Sequence, residues 1–352
     1  MNGFPFDAVL FDLDGTLVAT DSFWPDVARA ATLRVFRERG IDRAIPGPAE
    51  WMAMVGRPLG EAFEATFGDL DDESRSALLV ACAEAGHAQL DRHGATLLAG
   101  VEETLSELAA RGVRLGIASN CAPEYLELML TRAGLERWIE EGRCLASPGV
   151  QDKADMIEDL LHTFGTRSAV MVGDRAGDRD AAWANGLPHV HIPRGYCGGA
   201  DDGVEAEAVL SGMEQLVTAC MGRARSLGAC RERLGGARRV VVTGLPFAGH
   251  PRFAAELAAA FAEVGASTVE VVEADVAAAS AVLVGADALV TVSARSEVLE
   301  RRARGERVGL APLERLVEDL PAAQRAIDHL RAGGALRTVH VDNSNALDPR
   351  IG

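Results

Sequence analysis

The chain has 352 residues, of which 48% are hydrophobic, and this length suggests two domains with ordinary packed cores. Its formal net charge of −17 disfavours nucleic acid and anionic membranes as partners, since both carry dense negative charge. The N-terminus lacks a signal-peptide pattern, and no apolar run reaches the ~18 residues of a membrane span, so we expect a cytoplasmic protein. The six cysteines show no C-x-x-C spacing, which favours free thiols over a disulfide framework or a zinc site.

The first predicted element is a short buried strand, residues 8–11, that ends in two aspartates. Alternation along the strand places Asp12 and Asp14 on the same side of the backbone, and Gly15 permits a sharp turn directly after them. Two carboxylates at this position repel each other unless a cation or a proton lies between them. An exposed acidic turn would explain one of these acids, but not two behind a buried strand.

Residues 18–95 predict helices and no convincing strand. Apolar residues recur at helical spacing, for example at Val27, Ala31 and Val35, and Gly40 is a plausible C-cap. The predicted helices span residues 22–40, 51–55, 59–67 and 74–93. A helical block between two strands of an α/β core predicts a cap over the site.

From residue 101 onward, strands alternate with helices, which predicts a parallel, doubly wound sheet. The predicted strands span residues 114–119, 143–146, 168–172 and 189–192, and the predicted helices span 101–111, 123–132, 153–162, 180–185 and 213–221. Ligands of such sheets lie at the carboxyl ends of the strands. Asp12, Ser119 and Asp174 each follow a predicted strand, so we expect them at one edge of the sheet.

Four short motifs stand at these strand and helix ends. They are Asp12-Leu-Asp14-Gly-Thr, Ser119, Lys153, and Gly173-Asp174 followed by Asp178. In content and order they resemble the motifs of the haloacid dehalogenase-like hydrolases, over about residues 6–195. The resemblance implies the Rossmann-like parallel-sheet core of that superfamily, built from residues 1–17 and 96–221. It also implies the helical cap of the phosphoglycolate phosphatase-like subgroup, at residues 18–95.

The resemblance gives four of these residues a catalytic role. Asp12 is expected to attack phosphorus and form an aspartyl phosphate, and Asp14 to act as general acid and base. Ser119 and Lys153 are expected to stabilise charge on the phosphoryl oxygens. From the residues alone, Ser119 also fits an ordinary strand-end hydroxyl, and Lys153 a solvated lysine in the first turn of a helix.

The resemblance also implies a magnesium ion. Its ligands would be Asp12, the backbone carbonyl of Asp14, Asp174 and Asp178, since Mg²⁺ prefers oxygen ligands. Asp178 equally fits a helix N-cap, and the two roles are compatible.

Substrate contacts are expected from both the core and the cap. Ser119, Asn120 and Lys153 would bind the phosphoryl group. Arg57 resembles a residue that some relatives of phosphoglycolate phosphatase and β-phosphoglucomutase point into the site, and arginine suits a second anionic group. A solvent-facing arginine is an equally good interpretation of Arg57.

These features imply a Mg²⁺-dependent phosphatase that hydrolyses a small-molecule phosphomonoester of a sugar, a nucleoside or a related metabolite. Within the superfamily, dehalogenases lack the second aspartate, and phosphonate-cleaving relatives and P-type ATPases carry Ala or Thr there, so Asp14 favours phosphate-ester chemistry. A phosphomutase of the β-phosphoglucomutase type uses the same acid–base residue and stays the alternative. A non-enzymatic phosphometabolite-binding protein is a third interpretation, against which the complete set of motifs argues.

The rest of the chain predicts a linker at residues 222–237 and a second, smaller α/β unit at 238–352. A strand at 239–243 precedes Gly244 and Gly249, which have the spacing of a phosphate-binding P-loop. His250 and Pro251 stand where a P-loop carries Lys and Ser or Thr, so the lysine that reaches the nucleotide phosphates is missing.

Other segments extend this pattern: a strand at 286–292, an arginine-bearing helix at 297–304 and the segment 341–344. Together with the glycine spacing they resemble a uridine kinase-like P-loop domain that is degenerate and therefore not an active kinase. Dimerisation, bracing of the cap and weak ligand binding stay open as its role, and a homo-oligomer would form through this unit. An α/β domain unrelated to kinases is the alternative interpretation.

Overall fold

The computed structural model describes residues 4–194, 196, 203–266, 268–305, 310–332 and 336–352. It contains two largely parallel sheets, each flanked by helices. The strands are β1 (Ala8–Phe11), β2 (Arg114–Ala118), β3 (Glu141–Arg143), β4 (Ala169–Gly173), β5 (His189–His191), β6 (Ala208–Val209), β7 (Arg239–Gly244), β8 (Glu270–Glu273), β9 (Ala288–Ser293), β10 (Arg337–Asp342) and β11 (Arg350–Ile351). The helices are α1 (Trp24–Arg39), α2 (Pro48–Met54), α3 (Leu59–Phe67), α4 (Asp72–His93), α5 (Val101–Ala110), α6 (Pro123–Arg132), α7 (Lys153–Phe164), α8 (Ala176–Ala184), α9 (Leu216–Cys220), α10 (Gly222–Arg233), α11 (His250–Glu263), α12 (Val276–Val282), α13 (Ser296–Gly305) and α14 (Leu310–Ala332).

The first sheet has the strand order β3-β2-β1-β4-β5-β6, and all its pairs are parallel. Strand β1 lies between β2 and β4, with Ala8 opposite both Arg114 and Ala169. Its four residues are all buried, which explains why the strand is a continuous apolar run rather than an alternating one. The predicted α/β class with a Rossmann-like parallel core is confirmed.

The cap consists of α1 to α4, inserted between β1 and α5. Trp51 is fully buried, and its ring centroid lies 6.2 Å from that of Trp24 and 5.8 Å from that of Phe67. Helix α2 begins at Pro48, three residues before the predicted start, because proline suits the first helical turn and Glu50 accepts a hydrogen bond from the Gly47 amide at 2.7 Å.

Two predicted boundaries in the core are wrong. Strand β3 ends at Arg143 instead of beginning there, because Cys144 opens a turn in which its amide donates to Ser147 Oγ at 3.0 Å. Helix α8 begins at Ala176, four residues earlier than predicted. Asp178 accepts a hydrogen bond from the Arg175 amide at 3.0 Å and so caps the helix at that point.

The segment expected to be a linker, residues 222–237, is largely helical. Its glycines and arginines suggested an irregular connection, but Leu227, Cys230 and Leu234 recur at helical spacing and are buried in the C-terminal core. Helix α10 is therefore part of the packed structure. Among the cysteines, Cys197 lies outside the described residues, and the other five are free thiols.

The second sheet has the strand order β11-β10-β9-β7-β8, in which only the β10–β11 pair is antiparallel among the described strands. Helix α11 follows the glycine-containing loop after β7, and β8, α12 and α14 are additions that we did not predict. The likeness of this unit to a degenerate P-loop kinase stays a prediction. Within the described ranges, no helix combines the length and the apolar character needed to cross a membrane.

Contacts join the two units just before β1 and next to β6. Arg252 on α11 donates to the Pro5 carbonyl at 2.8 Å, and its guanidinium lies 4.8 Å from the centre of the Phe6 ring. Asn345 donates to the carbonyl of Glu207 at 3.0 Å. The C-terminal unit thus packs directly against the segment that leads into the strand carrying Asp12.

Strand β5 carries a buried histidine that should make stability depend on pH. His189 has no exposed surface, and within the described residues neither of its ring nitrogens has a hydrogen-bond partner. Burial lowers the pKa of His189 from 6.5 to about 4. As the pH falls through this window, the unfolded chain binds a proton that the folded chain does not, so stability is lost.

We predict that His189→Leu reduces this loss, which amounts to about 1.4 kcal/mol per pH unit between these values. Urea midpoints at pH 7.5 and 5.0 should therefore differ less in His189→Leu than in the wild type. The substitution His162→Gln, at an exposed histidine, should keep the wild-type difference. An unchanged pH dependence in His189→Leu would contradict the prediction.

Candidate active site

The ends of three neighbouring strands form the base of the site. Asp12 follows β1, Ser119 follows β2 and Asp174 follows β4, and all three side chains are buried. The Asp12 amide donates to Val172 O at 2.9 Å, so the parallel pairing continues to the aspartate itself. Because β1 pairs with both β2 and β4, these residues lie at one edge of the sheet.

Lys153 bridges two of the acids. Its ammonium donates to Asp12 Oδ1 and to Asp178 Oδ1, each at 2.6 Å, and all three side chains are buried. Burial disfavours the charged ammonium, but Asp12 and Asp178 outweigh it and raise the pKa of Lys153 above its ordinary value. Asp178 also accepts a hydrogen bond from the amide of Arg175, which is the N-cap residue of α8. The prediction of Asp178 as the N-cap itself is wrong, because Asp178 lies in the first turn of the helix and reaches back to that amide.

Asp174 joins the two acids that contact Lys153 in one cluster of carboxylates. Asp12, Asp174 and Asp178 each offer an oxygen within 4.8 Å of the others, and none is more than 2% exposed. Burial raises the pKa of Asp174 well above its ordinary value, with the charges of Asp12 and Asp178 acting in the same direction. Burial likewise raises the pKa of Asp12 to about 7, although Lys153 opposes the shift.

This donor set fits a divalent cation. Three buried carboxylates lie within reach of one cation, and oxygen ligands are those that Mg²⁺ and related ions prefer. Lys153 contacts two of them, and the charges of Lys153 and Arg175 are outweighed at Asp174 by burial and by its two acidic neighbours. The Oδ2 atom of Asp12 is buried and has no hydrogen-bond partner in the described part of the chain, which leaves it open to a ligand. The cluster is therefore able to hold a metal ion.

Asp14 stands apart from the three-acid cluster. Its Oδ1 atom accepts hydrogen bonds from Thr20 Oγ1 at 2.5 Å and from Tyr125 Oη at 2.8 Å. Burial raises the pKa of Asp14, and these two hydrogen bonds oppose the shift. The role predicted for Asp14 as a metal ligand, through its backbone carbonyl, stays a prediction.

Gly15 is required by the close approach of the motif to Asp174. Its φ of +85° lies in the left-handed region, and a Cβ atom there would lie 2.5 Å from Asp174 Oδ2. Any other residue would displace one of the acids of the cluster.

A cavity of about 210 Å³ lies between the core and the cap. Asp14, Ser119 and Asn120 line it from the core, and the exposed Arg57 lines it from the cap loop between α2 and α3. Apolar cap residues supply much of the remaining wall: Trp24, Met54, Val55, Leu59 and Ala83. The cavity therefore joins the phosphoryl-binding residues expected from the sequence to a mainly apolar chamber.

The cap is closed over the core in this structure. Asn120 Nδ2 donates to the Gly56 carbonyl at 3.0 Å, and Arg175 Nη2 donates to the Met52 carbonyl at 3.2 Å. The side-chain amide of Asn120, which was expected to bind the phosphoryl group, thus donates one hydrogen bond to the cap.

Sequence reasoning missed Thr20 and Tyr125. The chain has only two tyrosines, and the hydroxyls of both donate to aspartates near the site: Tyr125 to Asp14, and Tyr196 to Asp21 at 2.9 Å. The scarcity of tyrosine, with one directly after the Ser119 motif, was a weak signal. Tyr125 could not be found from local spacing, since 111 residues separate it from Asp14, whereas Thr20 is six residues from Asp14 and was within reach of local reasoning.

Comparison with known proteins places this arrangement in a family. The model of the haloacid dehalogenase-like hydrolases matches residues 6–186, and the chain belongs to this family. A phosphoglycolate phosphatase of Rhodospirillum rubrum is 34% identical over 203 residues, which cover 54% of this chain and 80% of that protein. A phosphoglycolate phosphatase of Xanthomonas campestris pv. campestris is 33% identical over 211 residues, or 57% of this chain and 89% of that one.

The fold of the matched part recurs in solved structures. A crystal structure described as a predicted phosphoglycolate phosphatase from Haemophilus somnus superposes with a TM-score of 0.54 at 20% identity, covering 61% of this chain and 97% of that one. Fold, family and relatives together identify the chain as a phosphatase-type hydrolase.

The charge balance of the cluster predicts opposite effects of one substitution with and without metal. In EDTA, Asp174→Asn removes one of three mutually repelling carboxylates, so Tm should stay unchanged or rise. A gain of about 1 kcal/mol in the free energy of unfolding would correspond to a rise of ~2–4 °C. Millimolar MgCl₂ should raise Tm of the wild type but not of Asp174→Asn, as differential scanning fluorimetry can measure.

Asp180→Asn is the matched control, because Asp180 lies on the exposed side of the same helix α8 and pairs with Arg179. It should respond to MgCl₂ like the wild type. A full Mg²⁺ response in Asp174→Asn would contradict the metal assignment.

Proposed function

We propose that this protein is a Mg²⁺-dependent phosphatase that hydrolyses a small phosphomonoester through an aspartyl phosphate on Asp12. The observation that carries the proposal is the buried bridge of Lys153 to Asp12 and Asp178 beside Asp174. This arrangement supplies a nucleophile held in a fixed orientation, a cation for the phosphoryl charge and a set of oxygen ligands.

The first half-reaction begins with the Asp12 carboxylate. Lys153 holds its Oδ1 atom, which limits rotation of the carboxylate and keeps it oriented for attack on a bound ester. Asp12 forms the new phosphorus–oxygen bond as the alkoxide leaves, and Lys153 and the Ser119 hydroxyl stabilise charge on the phosphoryl oxygens. A divalent cation, when bound by the acids of the cluster, would reduce the repulsion between the negatively charged ester and the Asp12 carboxylate.

Asp14 moves the proton in both halves of the reaction. Thr20 and Tyr125 occupy its Oδ1 atom, so a proton on Asp14 is carried by Oδ2. From there it passes to the departing alkoxide. The resulting carboxylate then accepts a proton from the water that attacks the aspartyl phosphate and releases inorganic phosphate.

The test is phosphate release from a panel of phosphomonoesters. With MgCl₂ at least one ester should be hydrolysed, and EDTA should abolish the activity. Asp12→Asn should lower kcat by about a thousandfold or more, since it removes the nucleophile. Asp180→Asn, which changes a surface carboxylate of α8, should retain wild-type activity.

Two outcomes would redirect the assignment. Isomerisation of a sugar phosphate without net phosphate release would indicate the phosphomutase alternative. Absence of turnover for every ester, with phosphometabolite binding intact, would indicate a binding protein.

The cavity also bears on the leaving group. Two of the relatives are phosphoglycolate phosphatases, whose named substrate carries a carboxylate in its leaving group. In this chain Arg57 is the cationic residue that the cap contributes to the cavity wall, among mainly apolar neighbours. We propose that Arg57 binds an anionic group of the leaving alcohol where there is one, and that the apolar wall accepts uncharged leaving groups as well.

Arg57→Gln should therefore raise KM for phosphoglycolate by about tenfold, because it removes one hydrogen bond to a charged group and a tenfold change corresponds to about 1.4 kcal/mol of binding free energy. KM for an aryl phosphate should stay unchanged. The control Arg39→Gln changes an arginine that pairs with Glu73 on the outer face of the cap, and both KM values should stay at the wild-type level. Equal KM values in Arg57→Gln and the wild type for both esters would show that Arg57 faces solvent.

A further inference from the structure

A second cavity, of about 520 Å³, lies between the catalytic core and the C-terminal unit. Arg167 and the residues around Gly186 bound it on the core side. The loop between β7 and α11, Arg302 on α13 and Asn343 after β10 bound it on the other side. It shares no lining residue with the cavity under the cap.

The wall of this cavity is strongly basic. It contains one acidic residue, Asp275, against four arginines, Arg167, Arg223, Arg252 and Arg302. The chain as a whole has a net charge of −17, so this local excess of positive charge is opposite in sign to that of the molecule. General surface composition does not explain it.

Two of these arginines share one carboxylate. Arg223 is 1% exposed and donates to Glu256 Oε2 at 2.9 Å and to Asn343 Oδ1 at 3.0 Å. Arg252 donates to the same Glu256 at 2.7 Å. Glu256 is therefore shared at ion-pair distance by two guanidinium groups, of which that of Arg223 is fully buried.

Arg302 has no acidic partner of its own. Its Nη2 atom donates to the Asn343 carbonyl at 2.7 Å, and Nη1 lies 3.4 Å from the carbonyl oxygens of Phe247 and Ala248. Within the described ranges of the chain, no carboxylate lies at ion-pair distance from it. Burial and the charge of Arg223 lower the pKa of Arg302 to about 10, and the charge of Glu207 opposes this shift without cancelling it.

The loop before α11 brings further donors to the same cavity. His250, the first residue of this 14-residue helix, is 6% exposed and lines the cavity. Its Nε2 atom faces two carboxylates, Glu273 at 3.1 Å and Asp275 at 3.8 Å, so the ring nitrogen left for an anion is Nδ1, which has no hydrogen-bond partner among the described atoms. Gly249, at a φ of +80°, turns the chain into the helix. The N-terminus of a helix adds partial positive charge, and the carboxyl ends of parallel strands are where such sheets bind ligands.

We propose that this cavity is a second binding site for a small anion that carries phosphoryl groups. Guanidinium groups that approach from several elements match a tetrahedral group with several charged oxygens better than a planar carboxylate. The volume admits an organic phosphate as well as free phosphate or pyrophosphate. Because the wall comes from both units, the bound anion strengthens their contact.

The site is tested with the full chain carrying Asp12→Asn, in EDTA, so that turnover and metal-dependent binding under the cap do not contribute. Calorimetric titrations with pyrophosphate, inorganic phosphate and AMP are compared with citrate and with NaCl at equal ionic strength. We expect binding of at least one phosphoryl compound with a Kd at least tenfold lower than that of citrate. Tighter binding of AMP identifies an organic phosphate as the ligand type, and tighter binding of pyrophosphate identifies a free one.

Arg302→Gln should weaken this binding at least tenfold. Arg304→Gln is the matched control, since Arg304 lies one half-turn further along α13 and its side chain is 70% exposed, and its Kd should stay within twofold of the parent value. Arg167 lines the same cavity and pairs with Glu158 near the surface. If Arg302→Gln fails to fold, Arg167→Gln should weaken binding at least threefold.

Hydrogen exchange locates the ligand: the best-binding phosphoryl compound should protect amides in residues 244–253. Citrate binding as tightly as the phosphoryl compounds, unchanged Kd values in both Arg302→Gln and Arg167→Gln, or protection confined to other segments would each overturn the proposal. None of these measurements depends on phosphatase activity.

Discussion

The contact of one ammonium with two buried carboxylates is the interaction on which the catalytic half depends. Lys153 lies on α7, Asp12 at the end of β1 and Asp178 on α8, so this contact joins three elements that are distant in sequence. Losing one partner of such a buried pair costs about 3–5 kcal/mol. The contact therefore holds Asp12 and Asp178 in position against their mutual repulsion, beside a cluster that is able to hold a metal ion.

Much of this half could be predicted because its signals are local. An apolar run followed by Asp-x-Asp-Gly has a simple structural solution, a buried strand and a tight turn, and β1 has the predicted bounds. The four motifs are short and rigidly spaced, and they include the residues that the structure gathers around Lys153, although 141 residues separate Lys153 from Asp12. Helix ends marked by glycine, such as Gly40 after α1, were also predictable.

The remainder depends on long-range packing that spacing does not encode. Helix α10 contains glycine and several arginines, and its helical state rests on the burial of its apolar face and on the bonds of Arg223 to Glu256, 33 residues further along the chain. The contact of Asp14 with Tyr125 likewise requires the folded arrangement of α6 beside the motif. In both cases a polar side chain acquires its role only from its distant partner.

The closure of the cap has a further consequence. Both described hydrogen bonds that hold residues 52–56 against the core end on backbone carbonyl oxygens, those of Met52 and Gly56. A backbone carbonyl oxygen is present whatever the side chain, so substitutions at most positions in this segment leave both hydrogen bonds possible. Gly56 is the exception, because a Cβ atom there would lie 2.7 Å from Arg175 Nε. Chamber-lining side chains such as Val55 and Leu59 can thus be exchanged one at a time during evolution, and substrate preference can diverge while the acids beneath stay untouched.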